Sequence, residues 1–261
     1  RDPEMSRGLG DVYKRQNYDT LRRLCMLNSY VALDIETTGL NPAKDSIIEV
    51  GAIRIENGTV TDMLSTLVNP GYHIPDRITD ITGIDDDMVK DAPAIDSLIE
   101  RIVGITEGLP LLGHNIVFDY SFIKKAAADH SITYERMGID TYKFAKTVLP
   151  DIPSKSLEAL CGYFGIDVRH HRAYDDAGSA SVIYGKLCEM SCKEIAPVQL
   201  VYRLPKREPA TPRQKSYLAA LIRRYNVSIP CDMDTVTKSD ASRMIDRIMS
   251  EYGIVRNRTG N

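Results

Sequence analysis

Two carboxylates, Asp34 and Glu36, stand one residue apart in a β-rich apolar stretch, Tyr30-Val-Ala-Leu-Asp34-Ile-Glu36, that Thr37-Thr38-Gly39 brings to a stop. The pattern predicts a buried strand running into a turn. On a strand, residues i and i+2 share a face, so both acids project together from the strand end. An unpaired carboxylate in apolar surroundings carries a large desolvation cost, and like charges this close raise one another's pKa. A chain that keeps both ionised needs a compensating cation, and hard ions such as Mg²⁺ and Mn²⁺ favour oxygen donors. A solvated Asp-x-Glu at a strand terminus is the bland alternative. The tripeptide alone does not decide between them.

Two further blocks weigh against the bland reading. Gly113-His-Asn-Ile-Val-Phe118-Asp119 follows the apolar run Leu109-Pro-Leu-Leu-Gly113 and leads into Ala-rich sequence of helical period. Asp119 is thereby placed in or near a first helical turn, where alone it reads as an acid stabilising the helix dipole. The third block, His170-His171-Arg-Ala-Tyr-Asp175-Asp176-Ala-Gly-Ser-Ala, is a loop running into a small-residue helix. His171 would precede that helix and Asp176 would sit on its early turns, letting one base and one ligand converge. With two adjacent His and two adjacent Asp, spacing alone leaves the register ambiguous.

Asp-x-Glu-Thr-Thr-Gly-Leu, Gly-His-Asn-x-x-Phe-Asp and His-Arg-Ala-x-x-Asp resemble the three motifs of the DEDDh 3′–5′ exonuclease family. That family includes the epsilon proofreading subunit of DNA polymerase III and the exonuclease domain of Gram-positive replicative polymerases. The similarity runs from about Tyr30 to about Leu187. It takes in Ile47-Ile-Glu49-Val-Gly51, Asn69-Pro-Gly71, Ile81-Thr-Gly83, Asp140-Thr141 and Ser156-Leu157. The resemblance implies Asp34, Glu36, Asp119 and Asp176 as ligands of two Mg²⁺ or Mn²⁺ ions and His171 as general base. His170 and Asp175 become neighbours without a catalytic role. It implies substrate contacts at Thr37, Thr38, Gly39 and Leu40, with Asn115 and Phe118 as weaker candidates. The reaction implied is metal-dependent hydrolysis at nucleic-acid 3′ ends, single-stranded or frayed and most often DNA, releasing nucleoside 5′-monophosphates. An RNA 3′-trimming enzyme is the alternative within the class. A replication-associated subunit acting mainly through a DNA polymerase or sliding clamp is the alternative outside it.

The order of elements fits that expectation. Ile47 to Ile55 is apolar and β-branched, Glu56-Asn57-Gly58 is a hairpin turn, and Val60 to Val68 predicts a third strand. Helices are expected around 96–105, 118–130, 156–164 and 175–190, with short strands in 109–113 and 134–140. Such an order describes an α/β mixed β-sheet with helices on both faces. The resemblance names it ribonuclease-H-like and places Asp34 and Glu36 on the central strand.

Charge separates this core from the C-terminal tail. Residues 30–200 hold 15 basic against 26 acidic residues, and residues 201–261 hold 12 against 6. An acid-lined core suits metal capture, whereas the basic tail is suited to attract a phosphate backbone. We read 26–195 as the exonuclease domain, 196–210 as a Pro-rich linker and 211–261 as a small basic helical module. Thr211-Pro212 is a strong helix start, Thr237-Lys-Ser-Asp240 resembles a capping box, and Arg213, Lys215, Arg223 and Arg224 are its notable cations. The bland reading of the module is a helical pair packed on the core or on a partner. Gln199-Leu-Val-Tyr202 is a faint match to a clamp-binding peptide.

Residues 1–25 show no convincing period and no signal-peptide pattern; they read as an unassigned extension, with read-through upstream of Met26 left open. Cysteines 25, 161, 188, 192 and 231 are odd in number and lack paired C-x-x-C spacing, which argues against a zinc site. Reduced thiols and a cytoplasmic setting are the expectation. No apolar run approaches the ~18 residues of a membrane span.

Overall fold

β1 (Tyr30–Thr37) lies inside a six-stranded sheet whose order is β3-β2-β1-β4-β5-β6. The computed structural model describes residues 27–167, 172–191, 195–206, 208–227 and 232–252. β2 (Ile47–Glu56) and β3 (Thr59–Leu67) join β1 as an antiparallel meander. Asn57 and Gly58 both take positive φ, 52° and 77°, as a two-residue hairpin turn demands. On the other side β4 (Leu111–Gly113) and β5 (Met137–Asp140) run parallel to β1, and β6 (Val198–Gln199) closes the order antiparallel to β5.

The period-2 alternation of β1 divides the core into two layers. Val31, Leu33 and Ile35 pack with Ile99, Ile102 and Ile105 of α3 (Ile95–Ile105) and with Tyr120, Ile123 and Ala127 of α4 (Val117–Asp129). Tyr30 and Ala32 face the opposite layer. There they meet Phe144 of α5 (Thr141–Val148), Leu160 of α6 (Leu157–Phe164) and Ala177, Ala180, Ile183 and Tyr184 of α7 (Ala173–Met190). Asp34 and Glu36 continue the Tyr30–Ala32 row, so strand parity alone aims them at the α7 side. The expected mixed sheet with helices on both faces is what the chain forms.

Sequence periodicity missed short elements. α1 (Asp76–Thr82) and α2 (Asp86–Val89) are too brief for a helical period, yet Ile74, Ile78, Ile84 and Val89 form a separate apolar cluster over Ile48 of β2. α5 was hidden by its polar composition; Asp140 starts it by accepting from Tyr142 N and Lys143 N. The strands expected in 109–113 and 134–140 shorten to β4 and β5, because parallel pairing to β1 covers only Val31 and Ala32. Gln199-Leu-Val-Tyr202 is built into the sheet edge: Gln199 pairs with Met137 and Leu200 is buried against Gly138. A docking role for that peptide would require pulling it from the core.

The C-terminal segment builds its own small core. α8 (Pro212–Tyr225) and α9 (Lys238–Tyr252) bury Leu218, Leu221, Ala241 and Ile248 against one another with Ala210 and Val236. Thr211 and Gln214 close a full capping box on α8, with Pro212 just inside it. Asp240 N donates to Thr237 Oγ1 at 3.2 Å at the start of α9. No helix among the described residues is long and apolar enough to cross a membrane. Residues 1–25, Cys192 and Cys231 lie outside the described residues, whereas Cys161 is a buried free thiol and Cys188 is buried.

Because so small a core leans on its caps, Thr211→Ala should destabilise α8 and α9 by about 1 kcal/mol. Amide exchange should show faster opening of residues 212–225 with the sheet unaffected; equal protection in parent and variant would contradict this.

Candidate active site

β1 outruns its neighbour. β4 ends at Gly113, level with Leu33, so the last residues of β1 have no strand on that side. The Ile35 N–H faces this gap and would be orphaned in a buried place. Asp119, on the first turn of α4 and 3% exposed, fills it: Oδ1 accepts from Ile35 N at 3.0 Å. A carboxylate therefore crosses the sheet edge to the place where Asp34 and Glu36 end their row.

From the opposite layer comes α7. Its first turn carries Asp175 and Asp176, and only Asp176 is brought against the sheet. Asp34, Glu36 and Asp176 each offer a carboxylate oxygen within 4.8 Å of the others. Asp175 is half-buried, and its carbonyl accepts from Ser179 Oγ. His170 and His171 lie outside the described residues.

The electrostatics follow from crowding. Burial pushes the Asp34 carboxyl well above the usual range, and Asp119, Asp176, Glu36 and Glu49 push it further. Asp119 is raised mainly by burial, against the lowering effect of the Ile35 N–H. Glu36 is raised to about 7 by burial and by Asp176 and Glu49. Acids this close to one another cannot all ionise at neutral pH without a cation. The donors are hard oxygens from one strand end and two helix starts, a set that fits a divalent metal.

The turn after β1 is held rigidly. Thr37 Oγ1 donates to Gly39 O at 2.7 Å, Thr38 N donates to Ser46 O, and the Thr38 hydroxyl shares a hydrogen bond with Tyr72 at 2.7 Å. A Cβ on Gly39 would sit 2.5 Å from the Asp45 carboxylate, which would have to move to admit it. Leu40 leaves the turn 78% exposed. Asn115, at φ 69°, is exposed, its N–H donating to Asp140 Oδ1 at 3.1 Å. Phe118 is half-buried against Phe122, ring centroids 5.0 Å apart.

Residue chemistry left other members of the neighbourhood unread. Glu49 and Asp140 figured only within the resemblance, and Tyr72 did not figure at all. Glu49 is a buried acid on a strand, a costly placement that flags a partner, but which partner only the folded chain shows. Tyr72 sits in an irregular loop and carries no periodic signal.

A mixed sheet with a carboxylate crevice at the end of its central strand is the architecture of metal-dependent nucleases. The exonuclease family model matches residues 31–184, and the chain belongs to that family. It is 39% identical over 161 residues to the DNA polymerase III PolC-type of Caldanaerobacter subterraneus subsp. tengcongensis, over 61% of this chain and 12% of that protein. The DNA polymerase III subunit epsilon of Aquifex aeolicus is 32% identical over 163 residues, 62% of this chain and 81% of that protein. The chain thus spans only a small part of the PolC-type relatives it matches. The nuclease domain of 3′hExo, a DEDDh family member bound to rAMP, shares the fold with a TM-score of 0.55 at 18% identity, over 67% of this chain and 98% of that one.

The raised Glu36 pKa has a consequence for the metal-free protein. Between the ordinary carboxyl range and about 7 the folded state binds the proton more tightly than the unfolded one, so stability falls as pH rises through that window. In EDTA, raising the pH from 5 to 8 should lower Tm by about 5 °C more for the parent than for Glu36→Gln. Calorimetric scans check this, and parallel pH profiles would refute it.

Proposed function

We propose that this chain removes nucleotides one at a time from the 3′ end of a DNA strand, hydrolysing the terminal phosphodiester and releasing nucleoside 5′-monophosphates. The observation that carries the reading is the convergence of Asp34, Glu36 and Asp176 within 4.8 Å at a crevice that Asp119 closes. Two Mg²⁺ or Mn²⁺ ions held there would supply Lewis-acid polarisation of the phosphate and a lowered pKa for the attacking water. Asp34, Glu36, Asp176 and Asp119 would hold the ions, Asp34 as the shared carboxylate at the strand end. The Ile35 hydrogen bond to Asp119 fixes that carboxylate's direction. His171, five residues before Asp176, takes the water's proton; its ordinary pKa near ~6.5 suits that task near neutrality. No residue becomes covalently attached.

Thr37, Thr38, Gly39 and Leu40 hold the terminal nucleotide, the rigid turn giving backbone contacts and the exposed Leu40 an apolar surface for a base. Asn115 and Phe118, at the start of α4, are the weaker candidates for contact with that nucleotide. The names of the PolC-type and epsilon relatives favour DNA; the rAMP in 3′hExo keeps RNA trimming as the alternative.

Residues 26–195 are proposed as the exonuclease domain, 196–210 as the linker and 211–261 as the basic module. Its exposed Arg213, Arg223 and Arg224 suit backbone attraction or docking to a polymerase or sliding clamp. We take the stand-alone enzyme of repair or end processing as the primary role and the replication subunit as the second. A cytoplasmic location goes with the free thiol of Cys161.

With 5′-labelled single strands and Mg²⁺ or Mn²⁺, DNA should shorten in a ladder from the 3′ end, faster than matched RNA, and EDTA should stop it. Internal cuts, or activity in EDTA, would rule the reading out; faster loss of RNA would move it to the alternative.

The roles separate by variant. Asp34→Ala should abolish hydrolysis and weaken Mn²⁺ binding. His171→Ala should retain Mn²⁺ binding while slowing single turnovers by ~10²–10⁴-fold. His170→Ala and Asp175→Ala should do far less. A crippled His170→Ala beside a mild His171→Ala would shift the register by one residue.

A further inference from the structure

Strand register ties β2 to the carboxylates of β1. Glu49 lies opposite Glu36, and Gly51 lies opposite Asp34. Being two residues apart, Glu49 and Gly51 share the face that α7 packs on. Both meet the beginning of that helix.

Glu49 is 1% exposed. Its Oε1 accepts from Arg172 Nε at 2.9 Å and Nη2 at 2.8 Å, and its Oε2 accepts from Ala173 N at 3.1 Å. Arg172 is the N-cap of α7, and Ala173 is its first residue. The Arg172 carbonyl in turn accepts the N–H of Asp176 at 3.0 Å. A continuous run of hydrogen bonds thus leads from β2, through the helix start, to the backbone of the one α7 acid that meets Asp34 and Glu36.

Gly51 sets the depth of the same contact. A Cβ there would lie 2.2 Å from Ala173 C and Tyr174 N, closer than backbone atoms tolerate. The first turn of α7 therefore rests on bare backbone directly across from Asp34. A glycine controls the approach, and an ion pair controls the rotation.

Burying a fifth acid beside a crowded carboxylate site is an expensive way to make a brace. An apolar pair would hold a helix to a sheet at less electrostatic cost. What the Glu49–Arg172 pair adds is direction: a guanidinium presents its donors in a rigid fork, and a main-chain N–H points one way.

We infer that Glu49 and Arg172 are positioning residues of the metal centre, fixing the first turn of α7 so that Asp176 reaches ligand distance of Asp34 and Glu36. The inference rests on the reading of those three acids as metal ligands. Gln at position 49 can still accept from Ala173 N but offers Arg172 no charged partner, leaving the guanidinium to turn toward neighbouring carboxylates. Residues that orient a metal's direct ligands typically matter by about 10–100-fold in affinity.

Mn²⁺ titration calorimetry on the full chain tests this with Glu49→Gln, Arg172→Lys and Asp34→Ala, beside metal-free thermal scans and substrate KM. Glu49→Gln should weaken Mn²⁺ binding by about 10–100-fold, with KM unchanged and hydrolysis restored by excess Mn²⁺. Arg172→Lys keeps the charge without the fork and should lose less. Parent-like Mn²⁺ affinity in Glu49→Gln, with only Tm lowered and Asp34→Ala impaired, would reduce the pair to a structural brace and overturn the inference. Should Glu49→Gln not fold, Arg172→Lys decides, parent-like affinity overturning and weakened affinity supporting it. Parent-like binding by Asp34→Ala would instead discard the three-acid metal site itself, and the inference with it.

Discussion

Mutual repulsion among buried carboxylates governs the layout of this protein's working end. Asp34, Glu36, Asp119 and Asp176 converge from one strand and two helices, and Asp34, Glu36 and Asp119 each have their proton affinity raised by a neighbouring acid. Such a cluster opposes the folding that creates it, so the scaffold must hold it by other means. Two apolar layers do so, one on each side of β1, their helices carrying Asp119 on one side and Asp176 on the other. The strain is useful, because a crevice of forced-together oxygens is matched to a small divalent ion.

Every acid is also anchored through backbone geometry rather than through its own carboxyl alone. Asp34 and Glu36 are fixed by strand parity, Asp119 by the orphan N–H of Ile35, and Asp176 by the helix start on β2. The shortness of β4 matters here: were it to continue alongside β1, its carbonyl would take the Ile35 N–H and Asp119 would have no seat. The turn at Thr37–Gly39 is anchored the same way, through Ser46, Tyr72 and the close approach of Asp45. Asp34, Glu36 and the turn that follows them therefore grow from one rigid strand end, which is where precision is easiest to keep.

Net charge divides labour along the chain. The acidic core cannot attract a polyanion at long range, whereas the tail carries the excess of cations. That tail has its own apolar centre in Leu218, Leu221 and Ile248, so its cationic surface does not depend on residues of the sheet. Arg213, Arg223 and Arg224 remain exposed around it.

Much of this was legible in the residues. β-rich apolar runs marked β1 and β2, Asn57-Gly58 marked the hairpin from β2 to β3, and Thr211-Pro212 marked the start of α8, because each is a local preference of backbone or cap. The three blocks likewise announced the acids as a set. What sequence could not hold is anything set by a distant partner. α1, α2 and α5 are too short or too polar to show a period, and they form only where Ile48, Asp140 and Leu160 await them. Whether Asp175 or Asp176 meets the sheet depends on the rotation of α7, which Arg172, Glu49 and Gly51 settle across more than a hundred positions of chain. Chemistry of side chains is local and can be read in order. Their convergence depends on register and helix rotation, and those exist only once the sheet has formed.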